Sequence, residues 1–450
     1  MELGGIFTGA QILLKPLVEM DATALTRIRR GLALAAKGPV TLPGSRTGDA
    51  VPEARFATAA VQYRGVEVKP CCTESVGPEV LRMTFENPVG RAFELDAPII
   101  MFGAGSIDLG NGVLVPFTGG GGAHFTTLQG NTVIVYSSVP TCGILYLGAL
   151  ITDIEFAPTA RFSNLVFNAP LEGPKGQLTN VDLKGITVGT SGQIYFNNHL
   201  LTNIDLGTST FIGINLSDNN LETLDLSSKT DIININVRNN PSISLLLPPS
   251  SNSLRALDVG NCNLSSLVTR NYPTLTGLSC GLNSLTSLDL SGNIYLTSLT
   301  CSDNDITTLN LTDVSGLTYI ECGGNQLTAL DVSTLTSLTD LVCSGNQISA
   351  LDLSGLGNLV NLTCIGNDMI SLTITECFSL QNLQCANNNF SQSVANQILF
   401  DLNVYGQEGG TLSFEENATT LYYNITPEVE TAYTSLIGKG WTITGLFYLD

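Results

Sequence analysis

Six cysteines, Cys280, Cys301, Cys322, Cys343, Cys364 and Cys385, recur every 21 residues without a slip. A chain that repeats at this period cannot bury its apolar side chains within one copy, so the copies must stack into a solenoid. Laid under one another, the segments begin Leu275-Thr-Gly-Leu278-Ser-Cys280-Gly-Leu-Asn283-Ser-Leu285. The next is Leu296-Thr-Ser-Leu299-Thr-Cys301-Ser-Asp-Asn304-Asp-Ile306, and the last is Leu380-Gln-Asn-Leu383-Gln-Cys385-Ala-Asn-Asn388-Asn-Phe390. Looser copies at Phe211 and Ile232, and degenerate ones near Ser191 and Phe162, extend the series to about eleven coils between 162 and 395.

Leu278 and Cys280, or Leu341 and Cys343, stand two residues apart. That is the pattern of a short strand with those side chains inward. Parallel stacking about 4.8 Å apart makes eleven coils a rod of about 50 Å. The asparagines at 283, 304, 325, 346, 367 and 388 stand where the chain leaves the strand. Their amides can satisfy backbone groups of neighbouring coils that burial would otherwise leave unpaired, so an asparagine ladder is expected. The six ladder cysteines are expected to be compact buried hydrophobes. Parallel Cβ vectors one strand apart suit neither a disulfide nor a tetrahedral metal site. The chain has 11 cysteines, an odd number, and no paired CxxC knuckles, so neither a disulfide scaffold nor zinc is expected.

With Cys at the third apolar position, the pattern LxxLxLxxNxL resembles the leucine-rich repeat. A second apolar triplet, such as Leu285/Leu288/Leu290 or Ile306/Leu309/Leu311, has no long helical segment beside it. In that respect the coils resemble the short, internalin-like bacterial class. The resemblance covers about half the chain, and it implies a rod that recognises something and does not catalyse.

Outward positions of the first strand in each coil are the candidate binding residues: Tyr319, Glu321, Asp340, Asn361, Thr363, Asn382 and Gln384. They could hydrogen-bond a carbohydrate or simply meet water; one Tyr with no Trp or Arg is a poor set of protein hot spots. A second row, Asp289, Asn310, Asp331 and Asp352, reads as turn-capping side chains that bond their own backbone rather than as a Ca²⁺ site.

Both ends depart from the repeat. Residues 1–50 are read as an anchor with one helix, Ala22 to about Lys37, capped by Asp21 and stopped by Gly38-Pro39. Arg27, Arg29, Arg30 and Lys37 crowd this helix, to dock an acidic partner or to face solvent. Residues 51–160 read as a β-rich domain, with runs such as Ala60–Val68 and Asn131–Tyr136. Within it Gly103-Ala-Gly105 and Gly119 to Gly122 lack the spacing of phosphate loops and are expected as turns. The solenoid is assigned to 161–395. Residues 396–450 are read as a cap, with Ile398–Tyr405 a helix or strand and Trp441 covering the last apolar coil. Ser435-Leu-Ile-Gly-Lys-Gly-Trp-Thr-Ile-Thr-Gly445 looks like the closing module of leucine-rich proteins in phages and bacteria. The expected fold is thus mainly β: a leucine-rich repeat solenoid with a β-rich N-terminal domain and a small C-terminal cap.

Charge narrows the function. The formal net charge is −20; between Asn271 and Gly438 there are 16 acidic residues and no Lys, Arg or His. Such a surface repels nucleic acid and anionic lipid. Residues 1–91 are near neutral, with 11 basic and 9 acidic side chains. The opening Met-Glu-Leu-Gly-Gly-Ile-Phe has no basic n-region or apolar h-region, so an unprocessed, cytosol-assembled chain without membrane insertion is expected. No HExxH or paired-carboxylate constellation appears, and neither an enzyme nor a cofactor is expected. An N-terminal anchor with a distal rod resembles a bacteriophage virion fibre or decoration protein. That resemblance implies a homo-oligomer joined to other virion proteins through residues 1–160, its rod meeting a host surface glycan or protein. The alternative is a bacterial internalin-like adhesin or host-directed effector at the cell surface or secreted; a glycan-cleaving fibre ranks third.

Overall fold

The computed structural model describes residues 79–85, 93–109, 111, 114–128, 132–136, 142–146, 151–157, 160–169, 175–189 and 191–447. The expected anchor helix, with Arg27, Arg29, Arg30 and Lys37, lies outside the described residues. So do the run Ala60–Val68 and Cys71 and Cys72.

The N-terminal strands are β1 (Glu79–Phe85), β2 (Phe93–Asp108), β3 (Leu114–Leu128), β4 (Thr132–Tyr136), β5 (Cys142–Tyr146), β6 (Ile151–Phe156) and β7 (Arg161–Phe167). β2 and β3 form one long antiparallel hairpin, and β1 lies antiparallel between β4 and β6. Period-two alternation buries Leu81, Met83 and Phe85 on β1 against Val133, Val135, Ile151 and Ile154. The glycine runs expected as turns are strand instead: Gly103 pairs with Gly119 and Gly105 with Phe117 across the hairpin. The ladder slips in register between Met101 and Gly103. Glycine is common at such bulges, and pairing along the hairpin outweighs its preference for turns.

β5 turns the sheet toward the solenoid by pairing antiparallel with β2 and parallel with β7. From β7 the front sheet continues in parallel through Gln193–Tyr195, Gly213–Asn215 and onward to Thr442–Thr444, making thirteen strands. Leu278, Leu299, Ile320, Leu341, Leu362 and Leu383 stand side by side in register, each flanked by two half-buried neighbours. The inward wall is completed by the buried cysteines at 280, 301, 322, 343, 364 and 385 and by the second triplets, such as Ile306, Leu309 and Leu311.

Each coil must reverse direction just after its cysteine position. There one residue per coil takes the left-handed region: Asn198, Asp218, Asn239, Asn261, Leu282, Asp303, Gly324, Gly345, Gly366 and Asn387. Gly, Asn and Asp are the residues that tolerate it; Leu282, at φ 58°, is the misfit.

Thirteen turns exceed the eleven counted in sequence because strands Thr411–Ser413 and Thr442–Thr444 extend the same front sheet. Their return legs are helices, α1 (Gln392–Tyr405) and α2 (Pro427–Gly438). α1 buries Ala395, Ile398, Leu399 and Leu402 against the preceding coil. α2 starts at a Thr426 cap that accepts from the Val429 N–H, with Pro427 following and Glu428 and Glu430 in its first turn. Trp441 is buried, and its indole N–H donates to the Gln407 carbonyl. The architecture is a mainly β solenoid of leucine-rich repeat type, with a β-rich N-terminal part and a small C-terminal helical part.

Candidate recognition face

The strand positions on either side of each inward leucine point out of the front sheet. They align in two rows because the coils stack in register. One row holds Ser298, Tyr319, Asp340, Asn361, Asn382 and Thr411, and the other Thr300, Glu321, Val342, Thr363, Gln384 and Ser413. All seven residues singled out from sequence fall here, half-buried on one face.

From Asp340 to Thr411 the side chains of the first row hold one another, with Gln384 of the second row and Thr339 at the two ends. Gln384 Nε2 donates to Thr411 Oγ1 at 3.2 Å, and Thr411 Oγ1 donates to Asn382 Oδ1 at 2.9 Å. Asn382 Nδ2 donates to Asn361 Oδ1, and Asn361 Nδ2 to Asp340 Oδ1 at 2.6 Å. Thr339 Oγ1 closes on Asp340 Oδ2 at 2.6 Å. Every arrow points toward the Asp340 carboxylate, so the chain of dipoles is polarised along the rod. Beside it, the Tyr319 hydroxyl donates to Glu321 Oε2 at 3.0 Å. Burial first, then the Glu321 carboxylate, push the Tyr319 phenol up to about 12. Thr363 sits between Val342 and Gln384 in the second row, outside this chain of bonds. Sequence reasoning missed Thr339 and Thr411. Thr411 lay in the segment read as cap, although Thr411-Leu-Ser413 repeats the polar-Leu-polar form of Asn361-Leu-Thr363.

Beneath this face, the asparagines do what their position required. Asn325 Nδ2 donates to the carbonyls of Cys301, Cys322 and Gly323 at 3.0 to 3.1 Å, while its Oδ1 accepts from Ile306 N at 3.0 Å. Asn304, Asn346, Asn367 and Asn388 repeat the arrangement. The ladder runs further back than the sequence reading took it. Asn219 and Asn240 belong to it, and Cys262 fills its next place, its Sγ 3.2 Å from the Val237 carbonyl. The first place is held by His199, whose Nε2 lies 2.8 Å from the Phe167 carbonyl. The signal was available in the spacing: each stands three residues after an inward apolar residue, Phe196, Leu216, Val237 or Val259.

All eight cysteines among the described residues from Cys262 onward are unpaired and buried. Burial pushes the Cys280 and Cys322 thiols up to about 12 and raises Cys301, Cys343 and Cys364 well above the ordinary thiol range. Neutral thiols of this kind are poor nucleophiles.

On the back, Asp289, Asn310, Asp331 and Asp352 each accept the backbone N–H two residues on, at 3.0 to 3.1 Å. The same short bonds, from serine hydroxyl and backbone, lower the Asp331 and Asp352 carboxyls below the usual range. They are turn caps, as expected. A groove of about 340 Å³ runs beside them, lined by Ala329, Ala350, Ser371, Asp331, Asp352 and Thr373. Among the described residues no group of three or more His, Cys, Asp or Glu is placed to hold a metal, and no helix is long and apolar enough to cross a membrane.

No protein-family model and no curated protein matches the chain. Among solved structures, the functional domain of InlJ from Listeria monocytogenes, described as including a cysteine ladder, is 23% identical. That match covers 56% of this chain and 69% of the other, with a TM-score of 0.37. YopM from Yersinia enterocolitica is 18% identical over 55% of this chain and 58% of its own, with a TM-score of 0.37. The internalin InlF of Listeria monocytogenes is 18% identical over 59% of this chain and 81% of its own, with a TM-score of 0.35.

Proposed function

We propose that this chain is a recognition rod of a bacteriophage particle. In this reading residues 1–160 attach to other virion proteins and assemble the homo-oligomer, in the cytoplasm of the host. The solenoid projects its front face to a glycan or protein of a host surface. The observation that carries the reading is the front-face chain from Gln384 to Asp340. Side chains already held in place lose little entropy when a ligand replaces water, which is how a polar surface gains affinity. Rows of amide, hydroxyl and carboxylate groups about 4.8 Å apart present the donors and acceptors that sugar hydroxyls require. The charge split between residues 1–91 and the acidic coils supports separate tasks for the two ends, and it disfavours nucleic acid and anionic membranes as partners.

Capture of full-length protein on an array of neutral surface glycans, and on intact host cells, tests the recognition half. Asn361→Ala with Asn382→Ala is expected to abolish capture while leaving the fold intact. Light-scattering mass and recovery with purified particles test the assembly half. A monomer absent from particles but present on a bacterial envelope would replace the virion reading with that of an internalin-like adhesin. Capture that the double variant leaves untouched would remove the front face from recognition.

A further inference from the structure

We propose that His199 makes the joint between the N-terminal sheet and the solenoid acid-labile, because the closed joint has room for the imidazole only in its neutral form. The inference is independent of the proposed function. His199 is fully buried and takes the ladder place that asparagine holds in later coils. With Nε2 at 2.8 Å from the Phe167 carbonyl, the ring hydrogen sits on Nε2 and is donated there. Nδ1 is then a buried acceptor with no partner. A strap, residues 175–179, lies over that edge of the ring; a Cβ added to Gly176 would fall 1.9 Å from Nδ1. The strap is pinned by Gly176 N to the Asn198 carbonyl at 2.9 Å, by Leu200 N to the Leu178 carbonyl at 3.0 Å and by Lys175 Nζ to the Asp218 carbonyl at 2.9 Å. Phe167 and Phe196 stack on each other, ring centroids 5.3 Å apart.

A proton on Nδ1 turns that acceptor into a second donor with nothing to receive it, and places a charge where water cannot reach. The strap must lift for the imidazolium to be solvated. Titratable groups on the elements packed around the ring are Lys175 on the strap, Asp218 on the following coil, Tyr195 on the coil's own strand and Arg161 on β7. Burial holds the His199 imidazole down to about 4, against the opposing pull of the Phe167 carbonyl, whereas an opened histidine titrates near 6.5. The open state therefore binds the proton more tightly. Closure is firmest above 6.5 and weakens as pH falls toward 4; at pH 5 the opening equilibrium is about thirtyfold larger than at pH 7.5. The asparagines of the later coils do not titrate, so the loosening stays at the joint.

Hydrogen exchange of the full-length protein at pH 7.5 and pH 5.0, corrected for intrinsic rates, reads this directly. Peptides over 175–200 are expected to lose about thirtyfold in protection at pH 5.0 while peptides over 280–390 keep theirs. His199→Asn, which supplies the amide used elsewhere in the ladder, is expected to remove the acid effect. Wild-type peptides over 175–200 that stay protected at pH 5.0 would overturn the proposal, and that arm stands even if the variant does not fold. Loss of protection in His199→Asn equal to wild type would overturn it too.

Discussion

Between Leu275 and Asn388 the solenoid advances by near-identical coils, whereas from Asn388 to Thr444 it reaches the same front sheet by way of two helices. The regular coils are held by translation. Each asparagine donates to carbonyls of its own coil and the one before it and accepts a backbone N–H of the preceding coil, so one pattern of bonds recurs down the stack. In the last two turns the interval between strands lengthens, from Asn382 to Thr411 and on to Thr442. Closure there rests on apolar packing of α1 and α2 and on Trp441. The first turns differ again, with His199 and Cys262 standing in for asparagine. The ladder geometry thus tolerates any side chain that can donate at one point, but the repeated amide also accepts, and so does two tasks at once.

Breaking the regular part should have the largest effect. Asn325→Ala leaves the buried Ile306 N–H without a partner and removes one of two donors from each of the Cys301, Cys322 and Gly323 carbonyls, and we expect a loss of about 3–5 kcal/mol in urea unfolding. Trp441→Ala tests the other mode of closure. It removes a buried ring packed against Gly406 and Gly410, and about 3–4 kcal/mol should be lost in the same assay. If the two regions are as different as their bonding implies, Asn325→Ala will broaden the transition of the central coils, while Trp441→Ala will unravel the C-terminal turns first. Hydrogen exchange distinguishes the two patterns.

Cys322→Ser sharpens the comparison at lower cost. A hydroxyl placed among the buried ladder positions needs a bond that a thiol does not, and about 1–3 kcal/mol should be lost, against less for Cys322→Ala. Leu282→Gly is the smallest change and of opposite sign. Leu282 is 47% exposed and held at φ 58°, so relieving the left-handed strain should add about 1 kcal/mol to stability and raise the melting temperature.

Much of this was legible in residue spacing. The cysteine period led to parallel strands, the inward leucines and the asparagine ladder, and Asp331 and Asp352 read as turn caps. Those readings hold because each depends on neighbours at fixed offsets within one coil or the next. Others did not yield to spacing. Gly119 to Gly122 were expected as turns, since nothing local announces that β2 lies opposite them. The stretch Ile398–Tyr405 stayed open between helix and strand until packing against the preceding coil settled it as α1. His199 and Cys262 were passed over because a ladder recognised by its asparagines hides members of other types.

The repeat, the inward and outward sides of each coil, and the residues that turn the chain between them follow from residue spacing. A period of 21 residues with one apolar pattern has a single way to bury its leucines. Tertiary structure alone decided that the front sheet runs on through two helical turns, that five side chains from Gln384 to Asp340 join into one polarised chain, and that a histidine is shut beneath the first strap. Those outcomes depend on which coil faces which, and on how closely backbone such as Gly176 approaches a neighbour's ring. Distances of that kind are set by stacking in space, and no interval along the chain encodes them.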